Sequence, residues 1–405
     1  MRRRRSCVLD FALTDEQRDL VANVRRYLAE QILPDVARSE SASTPLPGAF
    51  QKLATMGVVG LPFPHAYGGA GLDYVTLGLV CEELEYCDTA LRTMMSVHIG
   101  LAGCGIYQWG TEEQKQRLLR PLASGEKLGA FGLTEPDAGS DVGALRSTAK
   151  RDGAEYVLNG SKIWISCATQ ADTFLLFAKT DPDAGKRGIS AFVVERTTAG
   201  EQLHTFAIKH KYGVRAGDTG GLSFTDLRVP ERNRLGHEGE GFYIAMTCLE
   251  NGRYTVAAGA TGLIRACLDA SVKYANERTT FGAPIGRHQL IQEMVAGMTA
   301  SYDASRLLYM RAGWMKNKGL RNTRETSLAK WFACDASNKA ADDALEIHGA
   351  YGFSDEYPVA RFLRNSRGAV VYEGSREIQK LMHGEYALGY RRDKPVRCEL
   401  PPYSP

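Results

Sequence analysis

The apolar periodicity of this chain changes twice, and that double change constrains its fold more than any other feature. Through the first third, apolar residues recur every three or four positions, as in Leu20, Val21, Val24, Leu28 and Ile32. That spacing marks one face of an amphipathic helix. Thr14-Asp15-Glu16-Gln17 precedes the run in the form of a capping box, with Thr14 as N-cap and Gln17 three residues on. Further helices are predicted over 48–57, 73–87, 91–109 and 112–123, with Pro62 to Gly71 as a loop between them. The middle third switches to short β-branched and aromatic runs. These are Tyr156 to Leu158 and Ile163 to Ile165 on either side of Asn159-Gly160, then Thr173 to Lys179, Ile189 to Glu195 and Leu222 to Val229. An Asn-Gly pair between apolar strands favours a type I′ turn, so a hairpin is expected there. From about 241 the helical spacing returns, with Leu290, Ile291, Met294, Val295 and Met298 on a helix reaching about 317. Later helices are predicted near 253–277, 325–347 and 372–388, followed by an extended Pro-rich tail from Lys394.

This order predicts an α+β fold in three parts: an N-terminal all-α domain over 1–127, a middle antiparallel β domain over 128–237, and a C-terminal four-helix bundle over 238–390, with a tail over 391–405. A chain of 405 residues exceeds the usual single core, and two or three subdomains of roughly 100–150 residues fit that limit. The formal charge of +3 comes from Arg2 to Arg5; without them 46 basic side chains face 47 acidic ones. A nucleic-acid-binding reading therefore lacks a broad basic footprint. The four arginines could attract phosphate or a membrane surface, but an unstructured start accounts for them more simply. No apolar stretch follows that could serve as a signal peptide or a membrane span, although arginine content leaves a transit peptide open. The nine cysteines are scattered, with no C-x-x-C pair and no His/Cys cluster at zinc spacing. They read as small core residues of a protein in a reducing cytoplasm, with no metal site.

Several chemistries lack their motif. There is no G-x-G-x-x-G after a strand, no G-x-x-x-x-G-K-[ST] and no G-x-S-x-G, so a Rossmann site, a P-loop and that class of hydrolase are unsupported. His288 and His348 each stand apart from other ligand types and read as structural histidines. By contrast, Phe131-Gly132-Leu133-Thr134-Glu135-Pro136-Asp137-Ala138-Gly139-Ser140-Asp141 packs a helix breaker, two glycines, two hydroxyls and three carboxylates behind an apolar run. Such a loop presents backbone N–H groups and hydroxyls beside an apolar wall, which suits a flat, polar-edged ring. Asn159-Gly160-Ser161-Lys162-Ile163-Trp164-Ile165-Ser166 follows, and Tyr372-Glu373-Gly374-Ser375 lies near the C-terminus.

In this order the three segments resemble the acyl-CoA dehydrogenase family of flavoproteins, and the resemblance extends over roughly 11 to 388. It implies FAD as cofactor, with Phe131, Leu133, Thr134 and Ser140 lining the ring and phosphates, and Trp164, Ile165 and Ser166 covering the ring. Read from the residues alone, Trp164 would be a core aromatic of a hairpin. Arg278-Thr279-Thr280-Phe281-Gly282 with His288-Gln289 resembles the family's second FAD segment, where a planar guanidinium suits pyrophosphate. Glu346-Ile347-His348-Gly349-Ala350 resembles the third, which in relatives reaches the cofactor of a neighbouring subunit. Ser375 is also placed at the cofactor by the match. Many relatives carry glutamine and glycine where Glu346 and Ala350 stand.

Glu373 is the implied catalytic base, and burial in the apolar strip around Val370 and Val371 is expected to raise its pKa toward the working range. Some relatives carry the base before an arginine on another helix; here that position is Gly252, before Arg253, and cannot serve. Glu250, Arg253, Gly374 and again Ser140 correspond to substrate contacts in relatives, although Glu250 and Arg253 read equally well as solvated helix charges. The stretch around Arg92 is similar to glutaryl-CoA dehydrogenases, whose arginine there meets the distal carboxylate of the substrate. An ion pair of Arg92 with Glu85 or Asp88 is the alternative. The resemblance further implies an acyl-CoA substrate, an electron-transfer flavoprotein as electron acceptor, and a cytoplasmic homotetramer built as a dimer of dimers. An acyl-CoA oxidase or a flavin monooxygenase would share the scaffold, and a non-enzymatic helical assembly protein would lack flavin altogether.

Overall fold

The computed structural model describes residues 12–393. The Arg2 to Arg5 run, Cys7, Cys398 and the tail from Lys394 lie outside the described residues. Helix α1 (Asp15–Gln31) begins as its sequence predicts, because Thr14 accepts from the Gln17 N–H while the Gln17 side chain accepts from the Thr14 N–H. Its apolar stripe, Val24 and Leu28, is buried against the core. Helices α2 (Leu33–Ala42), α3 (Ala49–Thr55), α4 (Tyr74–Cys87) and α5 (Thr89–Met95) follow. The chain then widens into i→i+5 turns over Ser96–Gly103 before α6 (Cys104–Trp109). Such widened turns shift side-chain direction within a helix and often occur at functional sites.

The middle of the chain forms an eight-stranded sheet: β1 (Gly129–Gly132), β2 (Thr148–Asp152), β3 (Glu155–Ser166), β4 (Thr173–Lys179), β5 (Ile189–Glu195), β6 (Leu203–Ala207), β7 (Thr219–Pro230) and β8 (Arg234–Leu235). Its main path runs β6-β7-β3-β2-β4-β5-β8. The pairing is mostly antiparallel, but β1 runs parallel to β4 and β2 meets β4 in parallel at one position, so the purely antiparallel expectation needs correction. The expected hairpin is also displaced. Asn159-Gly160 does not turn; it lies inside the continuous strand β3, where the register against β7 shifts between Leu158 and Gly160. The Asn159 side chain is occupied across the sheet, accepting from the Asp226 N–H at 2.9 Å and donating to its carboxylate at 3.2 Å. A side chain at Gly160 would meet the Ser147 hydroxyl at 2.2 Å, so the glycine answers a close approach rather than a turn. The hairpin turn falls at Gly153, between β2 and β3.

Five helices complete the chain: α7 (Gly241–Glu277), α8 (Gln289–Asn317), α9 (Thr323–His348), α10 (Val359–Ala369) and α11 (Arg376–Ala387). The four-helix expectation missed α10 and started α7 twelve residues late, because Gly252 interrupts the apolar pattern there. Among the described residues no helix is long and apolar enough to cross a membrane, and no group of His, Cys, Asp and Glu could hold a metal ion. The seven described cysteines are buried and unpaired, as expected for small core residues.

Candidate active site

Residues 370–375 form the turn between α10 and α11, not the start of a helix at 372. The Tyr372 N–H donates to the Gly368 carbonyl at 3.1 Å and the Arg376 N–H to the Val370 carbonyl at 2.9 Å. Inside this turn Glu373 has φ +54° and Gly374 φ +89°. A left-handed glutamate is uncommon and persists where its surroundings over-determine it. Three side chains do so. Arg253 Nε donates to the Glu373 carbonyl at 3.1 Å, while Lys330 Nζ and Gln379 Nε2 donate to the Gly374 carbonyl at 2.8 and 3.1 Å. Arg253 is therefore buried at the turn and is not a solvated helix charge.

Glu373 is half-buried, and its carboxylate points inward. Ser96 Oγ, at the start of the widened helical turns, donates to Oε1 at 2.7 Å, and Thr255 Oγ1 donates to Ser96 Oγ at 2.8 Å. Oε2 is sealed from solvent with no hydrogen-bond partner among the described residues. Its near neighbour is Gly252, where a Cβ would lie 2.1 Å from Oε2. The absent side chain at 252 is what makes room for the carboxylate. Burial raises the Glu373 pKa, against the pull of Arg92, the Ser96 hydrogen bond, Lys330 and Arg253. The expected apolar strip holds in part: Val370 is buried with Val256, Ala333 and Ala369, whereas Val371 is 64% exposed, and the rest of the enclosure comes from the helices packed around the turn.

Arg92 is fully buried, four residues before the Ser96 that holds this carboxylate. Its Nε donates to Glu85 Oε2 at 2.6 Å, and Nη2 donates to the Tyr372 hydroxyl. Glu85 also accepts from Thr89 Oγ1 at 3.2 Å. Of the two partners considered from sequence, Glu85 is the one used; Asp88 caps α5 and pairs with Arg361. Even so, Arg92 Nη1 is buried without a partner. Two orphaned polar atoms, one donor and one acceptor, thus share this interior. Glu250 lies farther out, accepting from Thr323 Oγ1 at 2.6 Å with Arg321 at 3.7 Å.

The loop after β1 and the end of β3 form a more open region. Phe131 and Leu133 are buried, Thr134 is half-buried and Ser140 exposed. The Thr134 carbonyl accepts from the Ile163 N–H at 2.9 Å, which ties the loop to β3. Trp164 follows in a second register shift with φ +61°, and its side chain is not a core aromatic: the residue is 61% exposed. Ile165 is buried behind it. Ser166 lines a small cavity with Leu91, Met94 and Thr219, beside the helix that carries Arg92. The rear of the loop is braced by Lys162, whose buried Nζ lies 2.7 Å from Glu135 Oε1. Glu135 also accepts from the Arg146 and Ser147 N–H groups at 2.5 and 3.0 Å. Burial opposes its ionisation, but Lys162 and these donors outweigh it and hold the carboxyl below its usual range.

The remaining segments predicted to touch cofactor lie on the outer face of the bundle. Arg278, Phe281 and Gln289 are exposed, Phe281 at 98%, as are Glu346, Gly349 and Ala350, with Phe353 at 87% beyond them. Thr280 Oγ1 lies 3.0 Å from His288 Nε2. Ile347 and His348 are buried; His348 stacks on Tyr274 at 4.2 Å and bonds the Ala344 carbonyl through Nδ1, a structural role for that histidine. Ser375 is the N-cap of α11.

Three family models match consecutive parts of this chain: acyl-CoA dehydrogenase N-terminal domain over 14–126, middle domain over 130–227 and C-terminal domain over 239–388. The chain belongs to the acyl-CoA dehydrogenase family. An acyl-CoA dehydrogenase of Bacillus subtilis is 41% identical over 377 residues, covering 93% of this chain and 99% of the relative. Glutaryl-CoA dehydrogenase of Desulfococcus multivorans is 40% identical over 391 residues, with 95% and 99% covered. The solved structure of butyryl-CoA dehydrogenase from Megasphaera elsdenii superposes with a TM-score of 0.91 at 36% identity, covering 94% and 100%. The protein is thus an FAD-dependent oxidoreductase acting on CH–CH donors, with the helical, β and helical parts of that fold. Ser96, Thr255, Lys330 and Gln379 of this dehydrogenase were not singled out in its sequence. Each is a common residue type inside a helix, and only the fold brings it to Glu373.

Proposed function

We propose that this acyl-CoA dehydrogenase converts an acyl-CoA thioester to the 2-enoyl-CoA with Glu373 as general base. The observation that carries the reading is a carboxylate with one oxygen held by Ser96 and the other unpartnered against Gly252. Oε2 takes the proton from the thioester α-carbon, and the electron pair of that C–H bond becomes the new C=C bond as hydride leaves the β-carbon. Bound FAD supplies the acceptor for that hydride. The Glu373 main-chain N–H has no acceptor among the described residues, which leaves it free to hold the thioester oxygen as enolate charge develops. The left-handed turn fixes carboxylate and N–H together, so one residue presents both groups.

Trp164 supports the cofactor assignment. An indole 61% exposed in a bulged strand, next to the residue whose N–H ties that strand to the Thr134 carbonyl, suits one face of a flat ring. Phe131, Leu133, Thr134, Ser140, Trp164, Ile165 and Ser166 would hold FAD from this chain. Arg278, Thr280, Phe281, Gln289 and the exposed Glu346, Gly349 and Ala350 would serve a neighbouring copy, a role favoured by the bare rings of Phe281 and Phe353. A homotetramer in the cytoplasm, passing electrons to an electron-transfer flavoprotein, completes the reading. Anaerobic titration of the holoenzyme with a panel of acyl-CoA thioesters, following bleaching of the flavin band, tests it. Bleaching by at least one thioester, abolished in Glu373→Gln, is expected; full bleaching by the variant contradicts the role of Glu373.

One observation favours a second reading. The unpartnered Arg92 Nη1 suits a distal carboxylate on the acyl chain, and a glutaryl-CoA dehydrogenase is among the relatives at 40% identity. Arg92→Ala is then expected to cost glutaryl turnover far more than butyryl turnover. Equal losses reject the dicarboxyl substrate and leave Arg92 as a structural partner of Glu85.

A further inference from the structure

Lys330 is fully buried on α9, yet its ammonium has no carboxylate within ion-pair distance among the described residues. Its hydrogen bond is to a main-chain carbonyl, that of Gly374, at 2.8 Å. A glutamine could serve that carbonyl, and a methionine could fill the space. A buried, unpaired cation is costly unless a nearby buried anion answers it. The polar and titratable groups around the Glu373 turn come from the helices packed against it and from the turn itself. From α4 and α5 come Cys81, Glu85 and Arg92, but Arg92 and Glu85 are engaged with each other at 2.6 Å. Ser96 supplies a neutral hydroxyl. From α7 come Arg253, bound to the Glu373 carbonyl, and Glu250, turned toward Thr323 and Arg321. The turn itself contributes Tyr372, which accepts from Arg92. From α9 come Lys330 and the buried thiol of Cys334. After the internal pairs are set aside, one anion and two cations remain. Both cations are pinned to the two carbonyls that flank the left-handed turn.

We propose that Lys330 is a positioning residue for the general base, clamping the Gly374 carbonyl and serving as the fixed countercharge of the Glu373 carboxylate. The inference rests on the reading of Glu373 given above. Burial draws the Lys330 ammonium below its ordinary value, with Cys334 and Glu373 opposing this, and the ionised Glu373 carboxylate is favoured by Arg92, by the Ser96 hydrogen bond and then by Lys330.

The test is the pH profile of kcat/KM for flavin-loaded wild type, Lys330→Gln and Lys330→Arg with one thioester. The base works ionised, so loss of the cation must move the acid limb to higher pH. Lys330→Gln keeps a donor for Gly374 and is expected to shift that limb upward by about one pH unit, with flavin absorbance and melting temperature retained. Lys330→Arg is expected to keep the wild-type limb. A folded, flavin-loaded Lys330→Gln with an unmoved limb overturns the proposal. Should Lys330→Gln fail to fold, Lys330→Arg carries the test, and an upward displacement of its limb overturns the countercharge role. Glu373→Gln is run in parallel. Wild-type turnover there removes the base itself, whereas an inactive Glu373→Gln beside an unmoved Lys330→Gln profile removes the Lys330 inference alone.

Discussion

The turn at Glu373 and the strand end at Trp164 both hold a residue in left-handed conformation, with φ +54° and +61°, but they are finished in opposite ways. Around Glu373 the chain itself holds one carboxylate oxygen and both carbonyls, through Ser96, Arg253 and Lys330, and leaves only Oε2 and the main-chain N–H of that residue without a partner among the described residues. Around Trp164 the support lies behind the strand, in the Lys162–Glu135 pair, while the indole is left bare. A group that must be aimed at one bond of a substrate is locked in advance. A surface that must accept a broad planar ring is left open and braced from the rear. The two halves of the site should therefore fail differently when mutated.

The brace behind Trp164 should give the largest effect on stability. Removing one member of a buried ion pair typically costs ~3–5 kcal/mol, so Lys162→Met is expected to lower the melting temperature sharply in apo and holo protein alike. Chemical denaturation of both forms checks this, and a loss confined to the holo form breaks the distinction between brace and binding face. The next effect concerns the joint between the two regions. His98, buried in the widened turns after α5, accepts from the Gly129 N–H at 3.0 Å and bonds the Leu122 carbonyl at 3.2 Å. Burial pulls its pKa down from 6.5 to about 4, against the hydrogen bonds to the Leu122 and Val59 carbonyls. The folded state therefore excludes the imidazolium. Its stabilising contribution is intact above pH 6.5 and lost as pH falls toward 4, up to about 3 kcal/mol by linkage. His98→Gln should flatten that part of the stability profile.

Gly252→Ala probes the locked side. Its Cβ would fall 2.1 Å from Glu373 Oε2. A displacement of about 1 Å in a reacting group costs on the order of a hundredfold, so kcat should drop by about that factor while FAD content is kept. Unchanged kcat would show that the carboxylate has room the geometry denies it. Trp164→Ala should give the smallest effect on the fold, within about 0.5 kcal/mol for the apo protein because the side chain is exposed. FAD retention should nevertheless fall, as read from the ratio of flavin to protein absorbance after gel filtration. Large destabilisation of the apo form would return Trp164 to the core.

Helical segments with long amphipathic stripes, such as α1 and α8, were legible in the sequence because burial follows a local period. The strand through Asn159-Gly160 was not. The Asn-Gly pair is locally the same in a turn and in a bulge, and the choice was made by Ser147 on the preceding strand side and by Asp226, 67 residues on from Asn159. The site was legible in the same uneven way. Glu373, Arg253 and the 131–141 loop carry contiguous motifs. Ser96 and Lys330 do not, since a serine or lysine inside a helix becomes a partner of Glu373 only when α5, α7 and α9 pack around the 370–375 turn. Trp164 shows the converse: its apolar, β-prone surroundings predict a buried ring, and a register shift at Ile163–Ile165 turns it outward.

A crystal structure of the holoenzyme with a non-reactive acyl-CoA thioester tests the central claim most directly. The Glu373 carboxylate and the Trp164-bearing strand are expected on opposite sides of one compartment, with Oε2 against the thioester α-carbon and the Glu373 N–H on its oxygen. A carboxylate turned away from the thioester, with another group at the α-carbon, would contradict it.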